Sequence, residues 1–340
     1  MARNLIKAIG DGWAEGDVEL VSELRTLVSD GDAAAQTAMF ETADAEATRL
    51  IETLRDQDIG MWVTYHNYYK APDLLGPKVS AALDVPYVII EASRAQSRLT
   101  GPWARFAAAS EAACNAADVI YYVIELDAFA LKRDKPEGQQ LIHLRPFLPI
   151  TTLPVESGRD PGQILTVGMF RGRDKLGSYE IIADALAHLS GDHWRLDIAG
   201  DGPARAQVER LMQPFGDRVH FLGQLDRDAL NAAYGRSAIF LWPGFNEAFG
   251  LVYLEAQAAG LPVVAQDRDG VRDVVLPGQY PIPEDGPAAL ATMLQTLLDD
   301  PDQCRTLGQQ ARSHVATRHL ADTARDTFWQ AARPLLKGQT

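Results

Sequence analysis

The residues best suited to chemistry lie in one segment of the sequence, residues 238–270. An apolar run, AIFLW, leads into a Pro-Gly pair, after which Glu247 stands in a predicted loop and Gly250 opens a predicted helix. Free N–H groups at a helix start bind phosphate, and glycine lets the backbone approach a ligand closely. Glu247 and the helical Glu255 carry carboxylates that accept hydrogen bonds from sugar hydroxyls. The pattern predicts a site for a phosphorylated, hydroxyl-rich ligand; an ordinary strand-loop-helix-strand unit with two solvated glutamates is the alternative.

In the first half of the chain, His66 is the candidate. It follows the apolar pattern MWVTY at 61–65, at the carboxyl edge where parallel sheets bind ligands, and the run TYHNYYK at 64–70 clusters polar and aromatic groups there. A purely structural histidine is the alternative. The remaining histidines show no ligand spacing and are interpreted as structural or solvated: His143, His188, His193, His220, His314 and His319.

Alternating strands and helices would position these side chains. Several apolar runs are continuous, as expected for parallel strands covered on both faces. Helical patterns at 103–117 and 177–189 fill the gaps, and from about 285 to 337 the pattern is helical only. The alternation predicts an α/β fold of βαβ units with parallel sheets. The predicted strands are 18–22, 61–65, 87–91, 119–123, 141–144, 164–168, 195–199, 219–222, 238–242 and 262–265.

The stretch 149–163, rich in proline and glycine, interrupts this rhythm and is interpreted as a linker. It divides the chain into a first domain, 1–152, and a second domain, 153–319. A terminal helix within 320–340, containing Trp329, is predicted to pack back onto the first domain.

The front of the chain is unusual. A doubly wound half begins with a strand, a tight turn and a helix, whereas this sequence begins with a helix pattern that places Leu5, Ile6 and Ile9 on one face. We therefore expect the first domain to lack its opening strand and ligand-facing loop. The alternatives are that a nearby edge strand takes the place of the missing strand or that this half is simply smaller. Met1 is then predicted to be an internal methionine of a longer reading frame.

The composition excludes several classes of protein. The chain has 340 residues, 46% hydrophobic and 23% charged, with a formal net charge of −14. This acidity argues against broad nucleic-acid binding and against a polybasic membrane patch. Cys114 and Cys304 have no metal-ligand spacing. Because no apolar run of about 18 residues and no signal-peptide core is present, we expect a cytoplasmic protein without a transmembrane segment.

Residues 247–264 resemble the signature of the retaining glycosyltransferases of GT-B fold, of the group 1 or family 4 type. That signature reads E-x-F-G-L-x-x-x-E-A-x-A-x-G-x-P-V-V, and every defined position occurs here. The resemblance covers about 160–320 well and the first 150 residues loosely. It implies two Rossmann-like domains that face each other across a cleft.

The resemblance also implies roles for the residues of the signature. Glu247 would hydrogen-bond hydroxyls of a donor sugar, and Glu255 would hold the ribose hydroxyls of its nucleotide. The backbone amides of Phe249, Gly250 and Leu251 would face the phosphates and the sugar.

Further roles follow from the positions around the signature. The backbone at Gly168 would run close to the diphosphate, and Lys175 stands at the position of the family's lysine. Where the family has an arginine this sequence has Met169, so Arg171 is expected to substitute, with Arg173 close behind. A solvated, charged loop is the alternative for both arginines.

Three other positions complete the implied site. The family seats the nucleotide base near Gly223, mainly through backbone groups. The imidazole of His66 would approach the donor sugar or the reacting centre. The family often has another histidine after the next strand; here Glu91 and Arg94 stand near that position and are candidates for acceptor contact.

By this resemblance the protein is predicted to be a hexosyl-type glycosyltransferase. It would move a sugar from a nucleoside-diphosphate sugar, bound as substrate, to a saccharide, lipid-linked or small-molecule acceptor with retention of configuration. No DxD-like metal site is evident, so no metal or other cofactor is implied, and a homo-oligomer is left open. The alternatives are a catalytically silent nucleotide-sugar-binding or scaffold protein and a nucleotide-sugar epimerase or hydrolase of the same architecture. No G-x-G-x-x-G follows a strand, which argues against a dinucleotide-dependent dehydrogenase.

Overall fold

A computed structural model describes residues 2–11, 17–172 and 174–336 of the chain. The chain divides into two compact units, the first comprising Met1–Arg145 with Asp322–Thr340 and the second Pro146–Ala321. The boundaries predicted from the sequence, 152/153 and 319/320, lie close to these.

The first unit is a parallel sheet with helices between its strands. Its elements are α1 (Ala2–Gly10), α2 (Ala33–Leu54), β1 (Trp62–Asn67), α3 (Gly76–Leu83), β2 (Tyr87–Ala92), α4 (Ala104–Ala116), β3 (Val119–Tyr122), α5 (Glu125–Arg133) and β4 (Gln140–His143). The four strands pair in the order β1-β2-β3-β4, and Tyr65 lies opposite Ile90 in the β1–β2 register. Within the described residues β1 is therefore an edge strand, and its carboxyl end lies beside that of β2.

The predicted strand at 18–22 is wrong. Residues 17–28 are irregular and make side-chain contacts instead of a strand ladder. The Ser22 hydroxyl donates to Glu46 in α2 at 2.6 Å, and the Thr26 hydroxyl donates to the carbonyl of Pro72 at 2.7 Å. Val21 and Leu24 pack against the core of the unit. The apolar alternation therefore reflects side chains pressed onto a helix rather than strand pairing.

The C-terminal helix belongs to the first unit. Helix α12 (Ala321–Ala332) buries Phe328, whose ring stacks on Tyr121 of β3 with centroids 5.1 Å apart. The Tyr121 hydroxyl donates to the Phe328 carbonyl at 2.6 Å, and the Trp329 indole N–H donates to the Ile9 carbonyl at 2.9 Å. These contacts join α12 to β3 and to α1.

The second unit is a doubly wound α/β domain. Its elements are β5 (Gln163–Val167), α6 (Asp174–Leu186), β6 (Arg195–Ala199), α7 (Arg205–Met212), β7 (Val219–Gly223), α8 (Arg227–Arg236), β8 (Ile239–Leu241), α9 (Leu251–Ala258), β9 (Val263–Val264), α10 (Gly286–Asp299) and α11 (Pro301–Arg318). The parallel strands are ordered β7-β6-β5-β8-β9, so the winding direction reverses between β5 and β8. Apart from 18–22, every predicted strand is present, with ends shifted by two residues at most.

Candidate functional site

The winding reversal places the sequence signature at a position suited to binding. In doubly wound sheets, ligands bind outside the carboxyl ends of the strands at the point where the strand order reverses. Here Gly168 follows β5, and the loop from Trp242 to Gly250 follows β8, which pairs directly with β5. The glycine and the acidic loop predicted to contact the ligand therefore meet at this switch point.

A lysine, a carboxylate and an indole form the centre of the site. The Lys175 ammonium in the first turn of α6 pairs with Oε2 of Glu247, which also accepts a hydrogen bond from the Trp242 indole N–H at 3.1 Å. The ammonium lies 5.3 Å from the centroid of the Trp242 ring, within cation–π range. The side chains of Lys175 and Glu247 are 26% and 14% exposed, so a ligand can reach both.

Trp242 is the residue of this cluster that the sequence did not single out. Its side chain is fully buried, and a Cβ on Gly168 would lie 2.7 Å from its ring. Only a residue without a side chain therefore fits at 168 against this ring. The run AIFLW is typical of a buried strand, which gives no sign that its last residue donates a hydrogen bond to Glu247.

The amino end of α9 is open at the backbone. Gly250 precedes the helix at φ 68° and ψ 91°, and the described residues provide it with no side-chain cap. Phe249 and Leu251 pack their side chains against the core of the unit. The Tyr253 N–H donates to the Gly250 carbonyl at 3.1 Å, so the N–H groups of Leu251 and Val252 are the ones that the helix start offers to an anion, with the favourable end of the helix dipole behind them.

Glu255, further along α9, is largely enclosed. Its Oε2 accepts a hydrogen bond from the Tyr234 hydroxyl at 3.1 Å, and its Oε1 lies 3.8 Å from the Arg227 guanidinium. Burial raises the pKa of Glu255 above its usual value, against the opposing effects of Tyr234 and Arg227. The carboxylate keeps 25% of its side-chain surface exposed and can accept hydrogen bonds from a ligand.

Glycine turns form a second row along the same sheet edge. Gly168 donates its N–H to Ala199 at 3.0 Å, and Gly200 donates to Gly223 at 2.8 Å. Gly200 has φ 149°, and a Cβ there would lie 2.0 Å from the Gly168 carbonyl oxygen, so it must be glycine for packing. Gly223, at φ 70°, has open space around its Cβ position. The backbone is therefore accessible at Gly223, the position predicted to seat the base.

The loop after β5 carries Arg171, the residue predicted to replace the family's arginine. Arg171 is exposed, and its side chain makes no hydrogen bond or ion pair within the described part of the chain. Met169 is 48% exposed. Arg173 lies outside the described residues. The substitution of Arg171 for the family's arginine stays a prediction.

In the first unit, His66 lies inside β1 rather than after it, because the strand continues to Asn67. Its Nδ1 lies 3.4 Å from Oε1 of Glu91 in β2. Arg94 is ion-paired with Glu111 and its side chain is only 2% exposed, so it is not accessible to a ligand. Of the two residues predicted to contact acceptor, Glu91 has the accessible position.

The described residues contain no group of three or more histidine, cysteine, aspartate or glutamate side chains arranged to hold a metal ion. None of their helices is both long and apolar enough to cross a membrane.

The architecture corresponds to a known fold. Sucrose-phosphate synthase from Thermosynechococcus elongatus superposes with a TM-score of 0.65 over 88% of this chain and 79% of that chain, at 22% identity. With two Rossmann-like units, the fold is that of the GT-B glycosyltransferases.

The second unit matches a known family. Residues 156–314 match the family described as glycosyl transferases group 1. The D-inositol 3-phosphate glycosyltransferase of Corynebacterium kroppenstedtii is 34% identical over 184 residues, 48% of this chain and 41% of that protein. Its namesake in Nocardia farcinica is 31% identical over 247 residues, 67% and 53% of the two chains. The chain therefore spans about half the length of these relatives or less.

Proposed function

We propose that the protein transfers a sugar from a nucleoside-diphosphate sugar to an acceptor, with retention of anomeric configuration and without a metal ion. The observation that carries the proposal is the cluster of Lys175, Glu247 and Trp242 at the switch point of the second sheet, beside the open amino end of α9. It offers one cation, one carboxylate and several backbone N–H groups to one ligand.

Each group of the site matches one part of such a donor. The N–H groups after Gly250 and the Lys175 ammonium bind the diphosphate, whose charge grows as the bond to the sugar breaks. Glu247 accepts hydrogen bonds from the sugar hydroxyls. Glu255 does the same for the ribose, and the open backbone at Gly223 receives the base.

The pairing of Lys175 with Glu247 describes the site before a donor binds. A carboxylate that is 14% exposed loses much of its hydration, and the ammonium beside it compensates for that loss. On donor binding the phosphate becomes a second partner for the ammonium, and a sugar hydroxyl becomes a partner for the carboxylate. The same two charges thus serve the empty and the loaded site.

The proposal extends to the acceptor side and to the place of action. We assign the acceptor to the first unit, at the carboxyl edge that carries His66, and we propose that the protein works in the cytoplasm. The sugar, the base and the acceptor are left open.

A turnover assay tests the proposal. The full chain is incubated with UDP-glucose, UDP-N-acetylglucosamine and GDP-mannose, with and without a mixture of acceptors, and release of nucleoside diphosphate is measured. We expect release from at least one donor, increased by acceptor, and an α-linked product by NMR. Binding of a donor without release under any condition would instead indicate a catalytically silent nucleotide-sugar-binding protein.

A further inference from the structure

Helix α8 supplies two polar side chains to the carboxylate of Glu255 in α9. Asp226 caps the start of α8 by accepting the N–H of Ala229 at 2.8 Å, and Arg227 is the first residue of the helix. Tyr234 follows seven residues later in the same helix. Because seven residues make about two helical turns, Arg227 and Tyr234 lie on one face of α8. That face meets the carboxylate of Glu255.

The two side chains contact different oxygens of the carboxylate. The Tyr234 hydroxyl donates to Oε2 at 3.1 Å, whereas the Arg227 guanidinium lies 3.8 Å from Oε1. Burial, and after it the charge of Glu255, raises the pKa of Tyr234 well above its usual value, so the hydroxyl keeps the proton that it donates. The Arg227 side chain is 69% exposed. The carboxylate thus has a buried hydrogen bond on one oxygen and an exposed cation beside the other.

Arginines on the other segments packed against α9 have different partners. Arg312 of α11 donates to the Ala258 carbonyl, and Arg159 of the linker donates to the Gly260 carbonyl at 2.6 Å. Both carbonyls lie at the carboxyl end of α9. These guanidinium groups therefore serve the end of the helix rather than Glu255.

The ionisation of Glu255 decides how strongly it accepts hydrogen bonds. Burial raises its pKa, and the hydrogen bond from Tyr234 and the charge of Arg227 oppose that rise. A ligand that covers the site removes more water from the carboxylate and so favours its protonated form, which lacks the charge that makes its hydrogen bonds strong. The attraction between the carboxylate and the guanidinium increases as water leaves. Arg227 therefore matters most when the site is occupied.

We propose that Arg227 is a positioning residue of the donor site, which keeps Glu255 ionised and in place while the ribose of a nucleoside diphosphate binds. Arg227 acts through the carboxylate and does not itself touch the nucleotide. The inference rests on the proposed function for the identity of the ligand, but the ionisation of Glu255 can be measured without a ligand.

The first measurement is a carbon-13 NMR titration of the full chain, labelled at the glutamate carboxyl carbons, with Glu255→Gln to assign the signal. In Arg227→Met, Glu255 should titrate at a higher pH than in the wild type, and Arg227→Lys should restore the wild-type titration. Arg305→Met is the matched control and should change nothing. The Arg305 side chain is 66% exposed, close to the 69% of Arg227, and it is paired with Asp302 in α11.

The second measurement is calorimetric titration of UDP, GDP and ADP and of their 2′,3′-dideoxy forms across a range of pH. Above the pKa of Glu255, the wild type should prefer a ribonucleotide to its dideoxy form at least about tenfold, as expected for hydrogen bonds to a charged acceptor. The preference should decrease as the pH falls. In Arg227→Met the preference should equal that of the wild type at high pH and decrease at a higher pH than in the wild type.

The possible results separate this inference from the proposed function. A titration of Glu255 that Arg227→Met leaves unchanged would overturn the inference. An affinity loss of the same size at every pH would also overturn it, because that result places the guanidinium on the nucleotide itself. If the titration shifts as expected but none of the nucleotides binds, the proposed sugar transfer is contradicted, whereas the effect of Arg227 on the ionisation of Glu255 stands.

Discussion

Trp242 contacts three of the residues predicted for the ligand site at the switch point of the second sheet. Its indole N–H donates a hydrogen bond to Glu247, and its ring makes a cation–π contact with the Lys175 ammonium. The edge of the ring lies against Gly168. The signature predicts the glutamate, and the position a few residues after Gly168 predicts the lysine by the same family resemblance. It could not predict the tryptophan, since an aromatic residue at the end of an apolar strand is ordinarily part of the core. The contacts of Glu247 and Lys175 with a ligand stay predictions.

Trp242→Phe should weaken binding of a nucleotide sugar more than binding of its nucleoside diphosphate. The variant keeps a ring beneath Lys175 but loses the N–H that orients Glu247 toward the sugar, and a hydrogen bond to a charged group contributes about 1.5–3 kcal/mol. Calorimetry should therefore show a loss of roughly tenfold or more for the sugar and little change for the diphosphate.

Trp194→Phe provides the comparison. Trp194 is also fully buried in the second unit, but its indole N–H has no hydrogen-bond partner in the described residues. Its replacement should leave the ratio of the two affinities unchanged. Equal losses for sugar and diphosphate in Trp242→Phe would contradict the proposed orientation of Glu247.

Glu255 predicts a pH dependence of donor binding. Burial raises its pKa, so it takes up a proton at a higher pH than an ordinary glutamate, whose value is 4.5. The ribose hydroxyls donate hydrogen bonds to the ionised carboxylate. Donor affinity is therefore highest above this raised pKa and decreases as the pH falls through it. Glu255→Gln should bind more weakly at neutral pH and lack this acid step, whereas exposed Glu209→Gln should retain it. A wild-type affinity that is flat down to pH 4.5 would refute the ribose role.

At the scale of elements, the loop after β8 is held from the other side by the turn after β9. Gly270 has φ 79°, and a Cβ there would lie 1.8 Å from the Ala248 carbonyl oxygen, next to Glu247. The strand-loop-helix order at this point is predictable from the signature, because glycine, proline and the apolar runs mark each boundary. The segment at 18–22 is only partly apolar, and its contacts with α2 depend on residues distant in the sequence.

Gly270→Ala should displace the loop that carries Glu247. The left-handed conformation costs alanine on the order of 1 kcal/mol or more, and the clash with Ala248 requires the backbone to move. We expect weaker nucleotide-sugar binding together with a lower melting temperature. Gly278→Ala is the control, since the nearest atom to its Cβ position lies 3.6 Å away. Unchanged donor affinity in Gly270→Ala would show that the loop does not depend on this contact.

At the scale of the whole molecule, each unit has its own core. The linker composition and the change of pattern after residue 285 predict two units and a terminal helix. The sequence cannot show the particular contacts that the helix makes, because Phe328 with Tyr121 and Trp329 with Ile9 join residues hundreds of positions apart.

Phe328→Ala should destabilise the first unit by about 3–5 kcal/mol, as expected for a fully buried phenylalanine. Nucleotide binding by the second unit should survive at temperatures where that unit remains folded. Differential scanning calorimetry with and without nucleotide measures both effects. Phe129→Ala is the control, because the Phe129 ring is 73% exposed. Loss of nucleotide binding in a Phe328→Ala protein that is still folded would contradict the independence of the two cores.

The measurement that tests the donor site most directly is calorimetric titration of UDP, GDP and ADP into the wild type, Lys175→Met and Arg195→Met. Arg195 begins β6 at the amino edge of the same sheet, and its guanidinium binds the carbonyls of Asp192 and Trp194. We predict that at least one diphosphate binds, that Lys175→Met weakens it about tenfold or more, and that Arg195→Met does not. If none of the three nucleotides binds, or if Lys175→Met binds them as tightly as the wild type does, the assignment of this switch point as a nucleoside-diphosphate site is contradicted.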